Sequence, residues 1–225
     1  MVEKFINPLT SFGLNKLFGT EENKDLLIDF LNQLLPEKHQ VNDLSFYQNE
    51  NYTRPLEDRE AIIDLYCENQ GGEKIIVELQ FLNQTNFKDR SLYYASFPIK
   101  EQAKSSLNWK FDLKGVYTIG IMNFTFDEYK DSPERLLHKI QFRELGSNEV
   151  AFDNLTFLYL EIPKFNKQLN ELETRFDKWL YLLKNLSQLN ERPDELQDRI
   201  FQKLFDLAEI EKYNSQSLQD YRASL

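Results

Sequence analysis

Cysteine and histidine are nearly missing from these 225 residues, which hold one cysteine, Cys67, and two histidines, His39 and His138, far apart. A lone thiol closes no internal disulfide, and Cys67 stands in an apolar run where a small buried hydrophobe is expected. The same scarcity argues against a zinc centre of Cys and His. Glycine numbers only seven, and no glycine-rich phosphate loop, Ser/His/Asp set or cofactor fingerprint occurs, so no organic cofactor is expected. Long apolar runs are lacking too. No stretch of 18 uncharged apolar residues occurs, and the opening Met1–Pro8 has no signal-peptide core, so the expectation is a cytoplasmic chain with no membrane association. Positive charge is also in deficit, with 27 Lys and Arg against 37 Asp and Glu and a net charge of −10. That balance argues against a strong nonspecific nucleic-acid binder. It is softened locally between residues 88 and 114, where Lys88, Arg90, Lys100, Lys104, Lys110 and Lys114 face only Asp89, Glu101 and Asp112. Such a strip would suit phosphate, or would simply be a solvated helix face.

What is present is 41% hydrophobic and 14% aromatic content, enough for one core or one core with a helical appendage. Leu26, Leu27, Phe30, Leu31 and Leu34 recur at helical spacing between Thr20, an expected N-cap, and Pro36. Residues 43–50 read as an extended edge segment that leads through Tyr52 to Pro55 into a hairpin. Residues 87–106 suit a helix, with a kink or break expected at Pro98. Val116–Phe124 and Leu155–Ile162 read as strands, the first so continuously apolar that it belongs in the centre of a sheet. After Pro163 only helical periodicity remains, over residues 171–189 and again from Asp194 to Leu207. The expected fold is α/β, a mixed α+β core over residues 1–163 followed by a helical region over 164–225.

The informative stretch is Ala61–Cys67, the turn Gln70-Gly71-Gly72, and Ile75–Phe81. Acids stand in these runs where core is expected. If the strands pair about Gly71, Asp64 lies opposite Glu78, while Glu78 and Gln80 share a face by strand alternation. Two carboxylates about 4 Å apart repel by about 4 kcal/mol at an effective dielectric near 20, so the pair calls for a positive charge between them. Hard oxygen donors with room for water suit Mg²⁺ or Mn²⁺. The competing account is a solvated hairpin face with no chemistry.

Asp64, a gap of thirteen residues, then Glu78-Leu79-Gln80 resembles the D…(D/E)xK signature of PD-(D/E)XK nucleases, with glutamine where that signature has lysine. Phe18–Ile28, Phe30-Leu31-Asn32, Ile63–Cys67, Val77–Gln80 and Arg90–Tyr94 are similar in order and spacing to the Rpn-type PD-(D/E)XK nuclease family transposases. The similarity runs from about Asn7 to Phe126 and more weakly through the helical remainder.

The resemblance implies a restriction-endonuclease-like core and metal-dependent endonuclease action on DNA, linked to transposition or recombination. Asp64 and Glu78 would be metal ligands, and Gln80 would stand where lysine orients the attacking water. A further acid from the first helix, best aligned at Glu22 with Glu21 and Asp25 as rivals, would join them; helix-dipole stabilisation accounts for Glu21 and Glu22 equally well. Arg90 and Gln102 match positions that would touch phosphate, although Arg90 would serve as well by pairing with Asp64 or Glu78. Tyr93 and Tyr94 read as covering aromatics before base-stacking ones. The resemblance also implies more helix beyond residue 225. A concerted double-strand cut would need two nuclease subunits, and the leucine-rich C-terminal helices would supply the homodimer interface unless they pack back on their own core. The alternative is a catalytically degenerate nuclease-like domain that binds DNA or protein.

Overall fold

The computed structural model describes residues 3–47, 63–81, 86–104 and 112–225, without the Lys104 side chain. In chain order these form α1 (Ser11–Phe18), α2 (Lys24–Leu34), β1 (Leu44–Phe46), β2 (Leu65–Asn69), β3 (Lys74–Gln80) and α3 (Phe87–Lys104). There follow β4 (Val116–Met122), β5 (Leu137–Arg143), β6 (Val150–Glu161), α4 (Arg175–Asn185), α5 (Arg199–Ala208) and α6 (Ser215–Ser224). They fall into two compact units, Asn42–Glu161 and the pair of segments Met1–Val41 with Ile162–Leu225.

The first unit is a six-stranded mixed sheet in the order β1-β2-β3-β4-β6-β5. The neighbours β1-β2, β2-β3 and β5-β6 are antiparallel, whereas β3-β4 and β4-β6 are parallel. Each of the seven residues of β4 is buried, as its apolar run and interior place require. Helix α3 returns the chain from β3 to the parallel β4, the crossover that a parallel pair needs. It continues through Pro98 without the break that was one of the two outcomes expected there. Strand β5 carries an alternation missed in the sequence: His138 is buried, and Ile140 and Phe142 share its face, with Lys139, Gln141 and Arg143 on the other. The tip of the preceding hairpin suits its residues. Gly72 has φ +80°, left-handed backbone that glycine adopts at no steric cost. Asn69 Oδ1 accepts from the N–H groups of Gly71 and Glu73 at 2.9 and 3.0 Å.

The second unit is helical. Trp179 of α4 is fully buried, with Phe18, Phe30 and Phe201 rings 5.3–5.7 Å from its own. Its indole N–H donates to Asp29 at 2.7 Å, where Arg175 Nε also donates at 2.7 Å. Leu180, Leu183, Leu186, Leu204 and Phe205 are buried as well, so the apolar stripes of α4 and α5 serve this unit's own core. Four helix starts among the described residues are capped by side chains: Thr10 accepts from Gly13, Thr174 forms a capping box with Asp177, Asp198 accepts from Ile200 and Phe201, and Asn214 accepts from Ser217. Thr20 makes no such bond; it precedes a short 3-10 turn, Glu21–Asn23, and α2 begins only after that. No helix among the described residues is long and apolar enough to cross a membrane. The segment Tyr52 to Pro55, residues Ala61 and Ile62, and Lys110 lie outside the described residues.

Candidate active site

The β2-β3 pairing sets the geometry. Leu65 opposes Val77, Tyr66 opposes Ile76 and Cys67 opposes Ile75, the register centred on Gly71. One step beyond the Leu65–Val77 pair, Asp64 faces Glu78. The two are latched through the backbone: Asp64 N–H donates to Glu78 Oε1 at 3.2 Å, and Leu79 N–H donates to Asp64 Oδ2 at 2.7 Å. On the same face α3 lays Tyr94 and Phe97 against Tyr66, Ile76 and Ile63, and Tyr66 Oη donates to Glu101 at 2.7 Å.

Burial makes this pair costly as two anions. Glu78 is only 4% exposed, and its carboxyl is pushed up to about 8, first by loss of water and then by the negative charge of Asp64. Asp64 is also pushed up by burial, an effect that the Leu79 N–H bond and the Arg90 charge oppose. Buried carboxylates hold a proton more tightly because the low-dielectric surroundings disfavour the charged form. Gln80, 6% exposed, follows on the same face and accepts a hydrogen bond from Arg90 Nη2. Arg90 lies in the first turn of α3 with its guanidinium 5.6 Å from the Phe87 ring centre. Tyr94 completes the surroundings; its hydroxyl is pushed up by burial and then by the charge of Glu78.

This donor set fits a hard divalent cation. Two oxygen-bearing acids with raised proton affinity offer a site where a cation would take the proton's place, and Mg²⁺ is commonly held by one or two carboxylates with water and substrate phosphate filling its shell. Among the described residues no group of three or more His, Cys, Asp and Glu side chains gathers as a fuller protein cage.

The remaining residues singled out in the sequence lie as follows. Glu22 is exposed in the 3-10 turn of the helical unit, its carbonyl accepting from Lys203 Nζ, which also pairs with Asp25. Glu21 pairs with Lys24 at 3.3 Å. Gln102 sits near the opposite end of α3 from Arg90, where its Oε1 accepts from Lys114 N–H at 2.8 Å and its Nε2 reaches Lys114 O at 3.4 Å. Lys114 precedes β4 at the end of the sheet where β3 starts, since Lys74 N–H donates to Gly115 O. The fold therefore gathers Asp64, Glu78, Gln80 and Arg90 at one end of β3, and Gln102 at the other. Within the basic strip, Lys88 pairs with Glu128, Lys114 lies 3.3 Å from Asp112, and Lys100 is exposed. Tyr94 is buried while Tyr93 is 47% exposed. The contact missed in the sequence is that of Arg90 with Gln80. Its only sequence signal is a cation in the first turn of the helix following β3, and Lys88 satisfies that equally.

A family model described as PD-(D/E)XK nuclease family transposase matches residues 8–225. No match was found among curated proteins or among solved structures. The chain belongs to the PD-(D/E)XK nuclease family transposases, a nuclease family whose substrate is DNA and whose members generally use divalent metal ions.

Proposed function

We infer that this member of the family is a metal-dependent DNA endonuclease that hydrolyses phosphodiester bonds in transposition or recombination. The observation that supports the reading best is the backbone-latched pair Asp64–Glu78, the first half-buried and the second buried, whose proton affinities stay raised although the Arg90 charge opposes the shift. Asp64 and Glu78 would hold Mg²⁺ or Mn²⁺. Such an ion, when bound, supplies Lewis acidity toward phosphoryl oxygens and lowers the proton affinity of its water. Gln80 orients the attacking water or a phosphate oxygen through its amide, and Glu22 is the proposed additional acid. Arg90 is the proposed phosphate contact. A phosphate role for Gln102 would require it to give up its bonds to the Lys114 backbone. The nuclease-like core of this reading is residues 1–163 with 164–225 as a helical region, the setting is cytoplasmic, and a concerted cut of both strands calls for a homodimer.

One observation favours a second reading, a degenerate domain that binds DNA or protein: Gln80 brings no charge where the signature has lysine, on a chain of net charge −10. Calorimetric titration with Mn²⁺ separates the two. The endonuclease reading expects uptake at millimolar metal or below, lost in Asp64→Ala and Glu78→Ala. No uptake by the unaltered chain would sink it.

A further inference from the structure

The position after the second acid lacks a cation of its own, and α3 delivers one to it. Gln80 is nearly buried and follows Glu78 by two residues on the same face. The Arg90 guanidinium donates Nη2–H to Gln80 Oε1. A guanidinium has donors and no acceptor, so only the amide oxygen can meet it. The contact thereby fixes which way the amide points: oxygen toward Arg90, and NH₂ as the donor Gln80 offers elsewhere on that face. Arg90 also sits close enough for its charge to act on both Asp64 and Glu78.

The turn that carries Arg90 is held firmly. Phe87, 1% exposed, packs against Tyr159 with ring centres 5.5 Å apart and fills the space above Gly120. Ser91 Oγ lies 2.5 Å from Tyr159 Oη, within the hydrogen-bonded interior. Residues on both sides of Arg90 are therefore anchored to β4 and β6, and the guanidinium is placed before any substrate arrives. Donors fixed in advance where charge develops cost no reorganisation during reaction.

We propose that Arg90 and Gln80 act as one unit in place of the signature lysine, the guanidinium supplying positive charge to the reacting phosphate and holding the Gln80 amide with its NH₂ as the phosphate or water donor. This rests on the endonuclease reading. The bland alternative is an internal bond that ties α3 to β3, and the two differ in what a relocated charge does. Under the proposal, a lysine side chain introduced at position 80 makes Arg90 dispensable. Under the alternative it does not.

The test uses the full chain as wild type, R90K, R90Q and the double variant R90Q/Q80K. Three readouts are taken: single-turnover cleavage of a duplex in Mn²⁺, affinity for the same duplex in Ca²⁺, and the Gln80 side-chain NH₂ resonance in metal-free protein. R90Q is expected to slow cleavage by about 100- to 1000-fold, the usual cost of removing one preorganised donor, with less than about tenfold loss of duplex affinity. R90Q/Q80K is expected to recover at least about tenfold of that rate, R90K to fall between wild type and R90Q, and the Gln80 resonance to move in R90Q while the backbone spectrum stays folded. An unmoved Gln80 resonance, cleavage by R90Q at the wild-type rate, or a loss that Q80K fails to recover would each overturn the proposal. Wild-type protein that cuts nothing would instead bring down the endonuclease reading, and this role with it.

Discussion

Asp64 gives its main-chain N–H to the Glu78 carboxylate at 3.2 Å, while its own carboxylate takes the N–H of Leu79 at 2.7 Å. The two acids are thus locked by the same hairpin that brings them together, and neither can swing away from the other without breaking a backbone bond. Because repulsion cannot be relieved by motion, it is relieved by a proton or by a cation.

A dependence of stability on pH follows for the metal-free chain. The Glu78 carboxyl takes up its proton near 4.5 when unfolded and at about 8 when folded. Its contribution to stability is complete below about pH 4.5 and is lost as pH rises through about 8, because the folded state binds the extra proton across that window. Glu78→Gln removes this loss. Urea midpoints at about pH 5 and about pH 8.5 check it, with the variant expected to gain on wild type as pH rises. A difference that does not change with pH would contradict the assignment.

Gly120 is required by close packing, with no positive φ involved. A Cβ built there would lie 2.7 Å from Phe87 Cζ and 3.1 Å from Tyr159 Cδ1. Gly120→Ala should cost about 1–3 kcal/mol, the usual range for overpacking a buried site. It should also slow cleavage, since Phe87 anchors the turn that carries Arg90. Chemical denaturation and cleavage by the folded fraction measure the two effects. Unaltered stability would show that Phe87 moves freely.

Cys67 is fully buried and its thiol is pushed up to about 12 by burial. The native protein should leave an alkylating reagent unreacted at neutral pH and consume one equivalent once unfolded, since the thiolate is the reactive form. Fast native labelling, followed by mass spectrometry, would show that β2 opens readily.

Much of this site was legible because hairpins obey simple arithmetic. The Gly71-Gly72 turn fixed the β2-β3 register, and strand alternation then put Glu78 and Gln80 on one face. The central place of β4 followed from its apolar run. Harder to read were features set by tertiary contacts. Pro98 stands within α3, and Thr20 is followed by a 3-10 turn, Glu21–Asn23, before α2 begins. Strand β5 went unread although its alternation is clear once His138 is counted as a core residue, buried at 1% exposure with Nε2 3.1 Å from Glu161. Ring stacking of His138 on Tyr129 at 4.0 Å is a partnership between distant residues that no local pattern encodes. The same is true of Gln102, whose amide is engaged by the backbone of a residue twelve positions on.

The most direct test of the central claim is incubation of the purified chain with supercoiled plasmid and Mg²⁺ or Mn²⁺, beside the Asp64→Ala and Glu78→Ala variants. The account predicts metal-dependent nicking or linearisation by the wild type, lost by at least about a thousandfold when either acid is removed. Equal inactivity of all three proteins, or cutting that survives loss of Asp64, would contradict it.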